Sequence, residues 1–149
     1  MGSSFNNFDF LKHHDELLFR LALTAESCFA PDPNTTLLKM RQLGEELAKN
    51  IAARVGVDSG KDIKQIDLLK NLDYSLRLDQ RIKDAFHTIR KLGNNANHDI
   101  TSNSHRDALQ SLQIGYALSV WYHQLYGGDK AKGFKPGPYI KPKDPSDEV

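Results

Sequence analysis

Apolar positions recur three and four apart along most of the chain, the period of helices lying against a core, and the punctuation between runs predicts five of them. The first is predicted from Phe10 to Phe29, with Leu11, Leu18, Leu21, Ala25 and Cys28 or Phe29 on one face and Asp9 as N-cap. Ala30-Pro31-Asp32-Pro33 ends it, because each proline removes a donor and restricts φ. The second, capped by Asn34 or Thr35, carries Leu37, Met40, Leu43 or Gly44, Leu47, Ile51 and Val55, and Gly56 stands where a helix gives way to a left-handed residue. A linker from Gly56 to Gly60 leads to a short third helix from Lys61 to Leu72, with Ile66, Leu69 and Leu72 inward. Asp79 caps a fourth, whose stripe is Ile82, Ala85, Phe86, Ile89 and Leu92. Gly93 can end it, but Ala96 keeps the same apolar angle, so the helix is expected to reach Asn97. The fifth opens on Ser104-His105-Arg106-Asp107, a capping-box spacing, and runs through Ala108, Leu109, Leu112, Tyr116, Val120 and Tyr122 to Tyr126. Ile114, Leu118, Trp121 and Leu125 fall at other angles. A helix apolar on most sides is expected at the centre of a bundle.

No stretch alternates as a strand does, so the expected class is all-α: a bundle of about five helices over residues 1–127. Residues 128–149 hold Pro136, Pro138, Pro142 and Pro145 among Lys130, Lys132, Lys135, Lys141 and Lys143, the composition of an extended or disordered linker outside the core. At 149 residues, 39% hydrophobic and 26% charged, the chain fits one soluble domain. The single cysteine, Cys28, allows no intrachain disulfide and is expected in the core. With no basic and apolar leader at the N-terminus, a cytoplasmic location is expected. Twenty Lys and Arg against 19 Asp and Glu leave a net charge of +1, so any grip on nucleic-acid phosphates must be local.

Two motifs imitate chemistry. Gly56-Val57-Asp58-Ser59-Gly60-Lys61-Asp62 looks like a phosphate-binding loop, but it follows a helix and has Asp62 where a hydroxyl must meet magnesium. Pro31-Asp32 and Asp62-Ile63-Lys64 imitate the spacing of a PD-(D/E)xK nuclease, whose carboxylates must converge on a metal, yet a long helix separates them. The six histidines show no zinc-ligand spacing, and no metal site is expected.

One polar stretch stands out, Arg90 to Asp99. On a continuous helix Asn94 and Asn97 each lie within about 40° of Arg90, away from the core stripe, with His98 about 80° from Arg90 and Asn95 farther round the polar side. Arg forks onto phosphate, His moves protons near neutral pH, and Asn orients either, so Arg90, Asn94, Asn95, Asn97 and His98 are candidate contact residues for nucleic acid or a partner. The bland alternative is a helix C-terminus, where Gly, Asn and basic residues are all at home. A continuous helix sets Arg90 and His98 about 12 Å apart along its axis, a span that a two-fold dimer would shorten between chains.

Phe8-Asp9-Phe10-Leu11-Lys12, Ala30-Pro31-Asp32-Pro33-Asn34-Thr35-Thr36-Leu37 and Ile89-Arg90-Lys91-Leu92-Gly93-Asn94-Asn95-Ala96-Asn97-His98 resemble the start of R subunits of type I restriction-modification enzymes. Phe134-Lys135-Pro136-Gly137-Pro138-Tyr139 is similar to the linker leading into the nuclease domain there. The resemblance implies a helical module ahead of a magnesium-dependent nuclease and an ATP-driven motor. It also implies methylation and specificity subunits as partners, DNA reached through the parent protein, and no cofactor in this piece. The domain also resembles, distantly, the HEPN group, many of whose members are dimeric, metal-independent ribonucleases with an Arg–polar–His motif. That likeness implies Arg90 and His98 as catalytic residues in an alternative reading, and a homodimer. Seven residues stand between the two, more than that motif usually has.

Overall fold

The computed structural model describes residues 7–96 and 104–143, and every regular element among them is helical, as an all-α bundle requires. The five helices are α1 (Glu16–Ser27), α2 (Pro33–Val55), α3 (Gln65–Leu76), α4 (Gln80–Asn95) and α5 (Ser104–Tyr126). Short 3-10 turns at Asp9–His13 and Gly128–Ala131 flank them.

The central helix is α2, not α5: α1, α3, α4 and α5 all pack on it. Its buried residues, Leu37, Met40, Leu43, Gly44, Leu47, Ala48, Ile51 and Ala52, fill a broad stripe. Small residues let the neighbours come close. Gly44 faces Ile89 of α4, Gly115 of α5 faces the Met40 sulfur, and Gly93 of α4 lies directly on the stem of Arg41. Gly93 therefore does not end its helix; it makes room for α2. The extra apolar residues of α5 have a different use from the one expected. Trp121 meets Phe86 edge-on, Tyr116 sits under the chain's C-terminal part, and Leu125 stays 56% exposed.

Helix starts follow local capping, and several differ from expectation. Asp9 opens a 3-10 turn, whereas the cap of α1 is Asp15, which accepts from Leu17 N at 3.0 Å. The first helix is interrupted there because the 3-10 turn ends in an αR residue, His14, before the chain extends at Asp15. Asp32 caps α2, with Pro33 in the first turn where its missing N–H costs nothing. Asp79 caps α4 as expected, and Gly56, at φ 77°, closes α2. Further along, α3 starts four residues later than predicted, and Leu68 joins Leu69 and Leu72 in the core while Ile66 is exposed. Cys28 follows α1 and is only half-buried, outside the core that Phe29 enters. Asn95 is the last residue of α4, with Ala96 as its cap; Asn97 and His98 lie outside the described residues.

After the 3-10 turn at Gly128–Ala131 the described chain, as far as Lys143, lacks regular structure, but it is fastened down. Phe134 packs on Phe10 and His123, Tyr139 on Phe8 and Tyr116, and the Tyr116 hydroxyl donates to Gly137 O at 2.8 Å. Residues 132–143 form a strap over the α1 and α5 end of the bundle.

Candidate interaction surface

The inner face of α4 is set by Phe86, Ile89, Gly93 and Ala96, spaced three and four apart and all buried. That spacing turns Arg90, Lys91, Asn94 and Asn95 toward the outside or the flank. Arg90 is half-buried, and its Nε is shielded from solvent with no hydrogen-bond acceptor among the described residues. Asn94 is exposed and accepts from Arg41 Nη1 at 3.4 Å; Asn95 is exposed. Of the residues expected in the strip, the structure thus brings Arg90, Asn94 and Asn95 to one end of α4. Asn97 and His98 are not among the described residues, so neither is a pairing of Arg90 with His98.

A residue not anticipated from the sequence, Arg41, joins them from α2. Its stem crosses α4 over Gly93, and its Nε lies 3.6 Å from Glu45, a charge contact too long for a hydrogen bond. Arg41 and Glu45 stand one helical turn apart, a spacing visible in the sequence, but the crossing with α4 is a tertiary fact. The electrostatics at this place are positive. His87, one turn before Arg90, is held below the usual imidazole range by burial first and then by the Arg90 and Lys91 charges. Among the described residues Arg90 itself has no carboxylate in ion-pair range, and no three metal-ligating side chains converge.

A second polar cluster lies at the strap. Glu26 Oε2 accepts from Asn7 Nδ2 at 2.7 Å and from the Tyr139 hydroxyl at 2.6 Å. Asn7 also mimics a strand partner, accepting from Ile140 N at 3.0 Å and donating to Ile140 O at 2.9 Å. Burial pushes the Glu26 carboxyl up, only partly opposed by these two donors, and burial first and the neighbouring carboxylate second raise the Tyr139 hydroxyl above its ordinary value. Nearby, His14 Nε2 and His123 Nδ1 share a hydrogen bond of 2.7 Å, which needs a single proton between the two nitrogens. Burial and the charges of His123 and Arg54 lower His14 to about 4, and burial lowers the His123 imidazole too. None of these partners was apparent from spacing along the chain.

A family model described as Domain of unknown function (DUF4145) matches residues 24–124, from the end of α1 almost to the end of α5. The chain is also similar to the Type I restriction enzyme EcoKI endonuclease subunit of Escherichia coli (strain K12), 37% identical over 124 residues. That stretch is 83% of this chain and 10% of the subunit, so the chain spans about a tenth of the curated relative's length. No solved structure gives a significant match. No helix among the described residues is long and apolar enough to cross a membrane. The resemblance to type I restriction subunits read from the chain is thus met by an extended match, and the family model takes in the α4 surface together with the helices that build it: the chain belongs to the DUF4145 family.

Proposed function

We propose that this chain is the N-terminal helical module of the R subunit of a type I restriction enzyme, and that it makes contacts instead of cutting DNA. The parent subunit would use ATP and magnesium in other domains, and this module would meet the methylation and specificity subunits or nucleic acid. The similarity over 83% of the chain to a type I endonuclease subunit supports the first part. The single observation that carries the second is the α4 end, where Arg90 keeps a shielded donor without an acceptor among the described residues. Native proteins satisfy nearly all such donors, and one left open on a surface fits a group that arrives from outside. Arg90, Asn94 and Asn95, with Asn97 and His98 following, form the contact set, and residues 128–149 lead from the bundle toward the nuclease region.

The test is made in the complete R subunit. Replacing Arg90 and Asn94 together, Arg90→Gln with Asn94→Ala, is expected to weaken assembly with the other subunits or to reduce restriction, while the ATPase of the motor persists. Full assembly and full restriction in that variant, and in one lacking the module, would sink the proposal.

A second reading, a metal-independent ribonuclease using Arg90 and His98, is favoured by the same guanidinium, which has no carboxylate partner among the described residues and would steady a phosphate in its transition state. RNA cleavage in EDTA that disappears in His98→Ala supports it. Absence of cleavage, or cleavage unchanged in that variant, removes it.

A further inference from the structure

Resting on the contact reading above, we infer that Arg41 and Arg90 form one composite site for a backbone phosphate of nucleic acid, assembled across the α2–α4 crossing. Gly93 and Asn94 lie on either side of the Arg90 direction and one turn beyond it, at about −60° and +40° around α4. Arg41 spans that gap: its Cβ and Cγ rest on Gly93 and its Nη1 donates to Asn94. Helical side chains lean toward the N-terminus, so Asn94 leans back toward Arg90 and brings the Arg41 guanidinium with it. The Arg41 guanidinium, held at Asn94, is thereby set about one turn beyond Arg90 along α4, a separation that neighbouring oxygens of a phosphate backbone can bridge.

The charge balance shows what the site lacks. Glu45 faces Arg41 at charge-contact distance, and the last-turn carbonyls of α4 suit that cation as well. Neither lies in ion-pair range of Arg90, and burial first and the Arg90 charge second lower the His87 imidazole one turn before it. Among the described residues, a shielded Nε with no acceptor and a guanidinium with no carboxylate beside it suit an anion with several acceptor oxygens. Phosphate has that shape. The neighbouring groups are Asn94 as an amide donor and Lys91 as a further cation, both at the same end of α4. Glu45 then acts as the internal occupant of Arg41 that an incoming phosphate displaces. Gly93 is a positioning residue: a Cβ there would stand 2.4 Å from Arg41 Cβ, near the backbone, so α2 and α4 would have to separate.

Binding of the 149-residue chain to short fluorescein-labelled oligonucleotides, as single-stranded RNA, single-stranded DNA and duplex DNA, tests this by anisotropy across a salt series in EDTA. Arg41→Gln and Arg90→Gln should each weaken binding about five- to tenfold and reduce the salt slope by about one. Glu45→Gln should tighten it, and Arg20→Gln on α1, an exposed cation away from the site, should leave it unchanged. Gly93→Ala should reproduce the Arg41→Gln loss without removing a charge; its thermal unfolding is recorded, and Arg41→Gln carries the conclusion if Gly93→Ala does not fold. An effect in Arg90→Gln with none in Arg41→Gln overturns the composite site and leaves the contact reading standing. No oligonucleotide binding by the unaltered chain overturns the phosphate assignment; if Arg90→Gln then still weakens assembly with the other subunits, the α4 surface is a protein contact. Inorganic phosphate competing at millimolar concentration separates a single-phosphate pocket from a site that needs the polymer.

Discussion

The two polar clusters of this domain differ in how completely their hydrogen bonds are met. At the strap, the Glu26 carboxylate, the Asn7 amide, the Tyr139 hydroxyl and the Ile140 peptide answer one another within 3.0 Å. At the end of α4, Arg90 Nε has no acceptor among the described residues and the Arg41 contacts are long, at 3.4 Å and 3.6 Å. Fully connected buried polar groups rigidify a fold, and one left open costs stability until something pairs with it. The contrast fits the strap cluster to architecture and supports the contact role proposed for the α4 cluster. Polarity alone does not distinguish them, since both contain amides, a charge and nearby imidazoles.

The contrast breaks first at Glu26. Glu26→Ala leaves the Asn7 amide and the Tyr139 hydroxyl without their shared acceptor and should cost about 2–3 kcal/mol in urea unfolding. A loss below about 0.5 kcal/mol would mean the strap is not anchored as described. Next in size is the helix crossing. Gly93→Ala forces α2 and α4 apart and should cost about 1–3 kcal/mol, whereas Gly115→Ala meets the Met40 sulfur, which can rotate away, and should cost less. Equal losses would show that the α2–α4 contact has more slack than the geometry indicates.

The third prediction concerns pH. His14 takes a proton at about 4 in the fold against 6.5 ordinarily, so between these values the unfolded chain binds more protons. The contribution is complete above 6.5 and is lost as the pH falls toward about 4. A second proton would also set two N–H groups against each other at the His14–His123 contact. The urea midpoint should therefore decline over this range, and His14→Gln should reduce the decline; identical profiles would place the acid sensitivity elsewhere. The smallest effect is expected at Arg90. Arg90→Met exchanges a half-buried guanidinium, whose Nε has no acceptor among the described residues, for an apolar stem and should change stability by less than about 0.5 kcal/mol, in either direction. A loss above about 1 kcal/mol would make Arg90 a structural residue and remove the contrast.

Much of the fold was legible along the chain because helix signals are local. The stripes of α2 and α4, the Asp79 cap and the left-handed Gly56 each follow from residues within a turn or two of one another. Caps failed where two acidic or amide residues competed closely, Asp9 against Asp15 and Asn34 against Asp32, since the choice rests on backbone angles that spacing does not reveal. Of the candidate surface, Arg90 and Asn94 were readable from helical angle alone, while Arg41 was not, because it arrives from another helix 53 residues away from Asn94.

By itself the sequence determined an all-helical chain, the position of most helices and the polar face of α4, all properties of period and composition. Tertiary structure decided that α2 is central, that Gly93 is a contact and not a terminus, and that Asn7 and Ile140, 133 residues apart, hold the strap in place. The physical reason is the same in each case. Apolar periodicity says that a face will be buried, but which neighbour buries it, and which polar groups are left with or without partners, depends on close packing between segments that share no local signal.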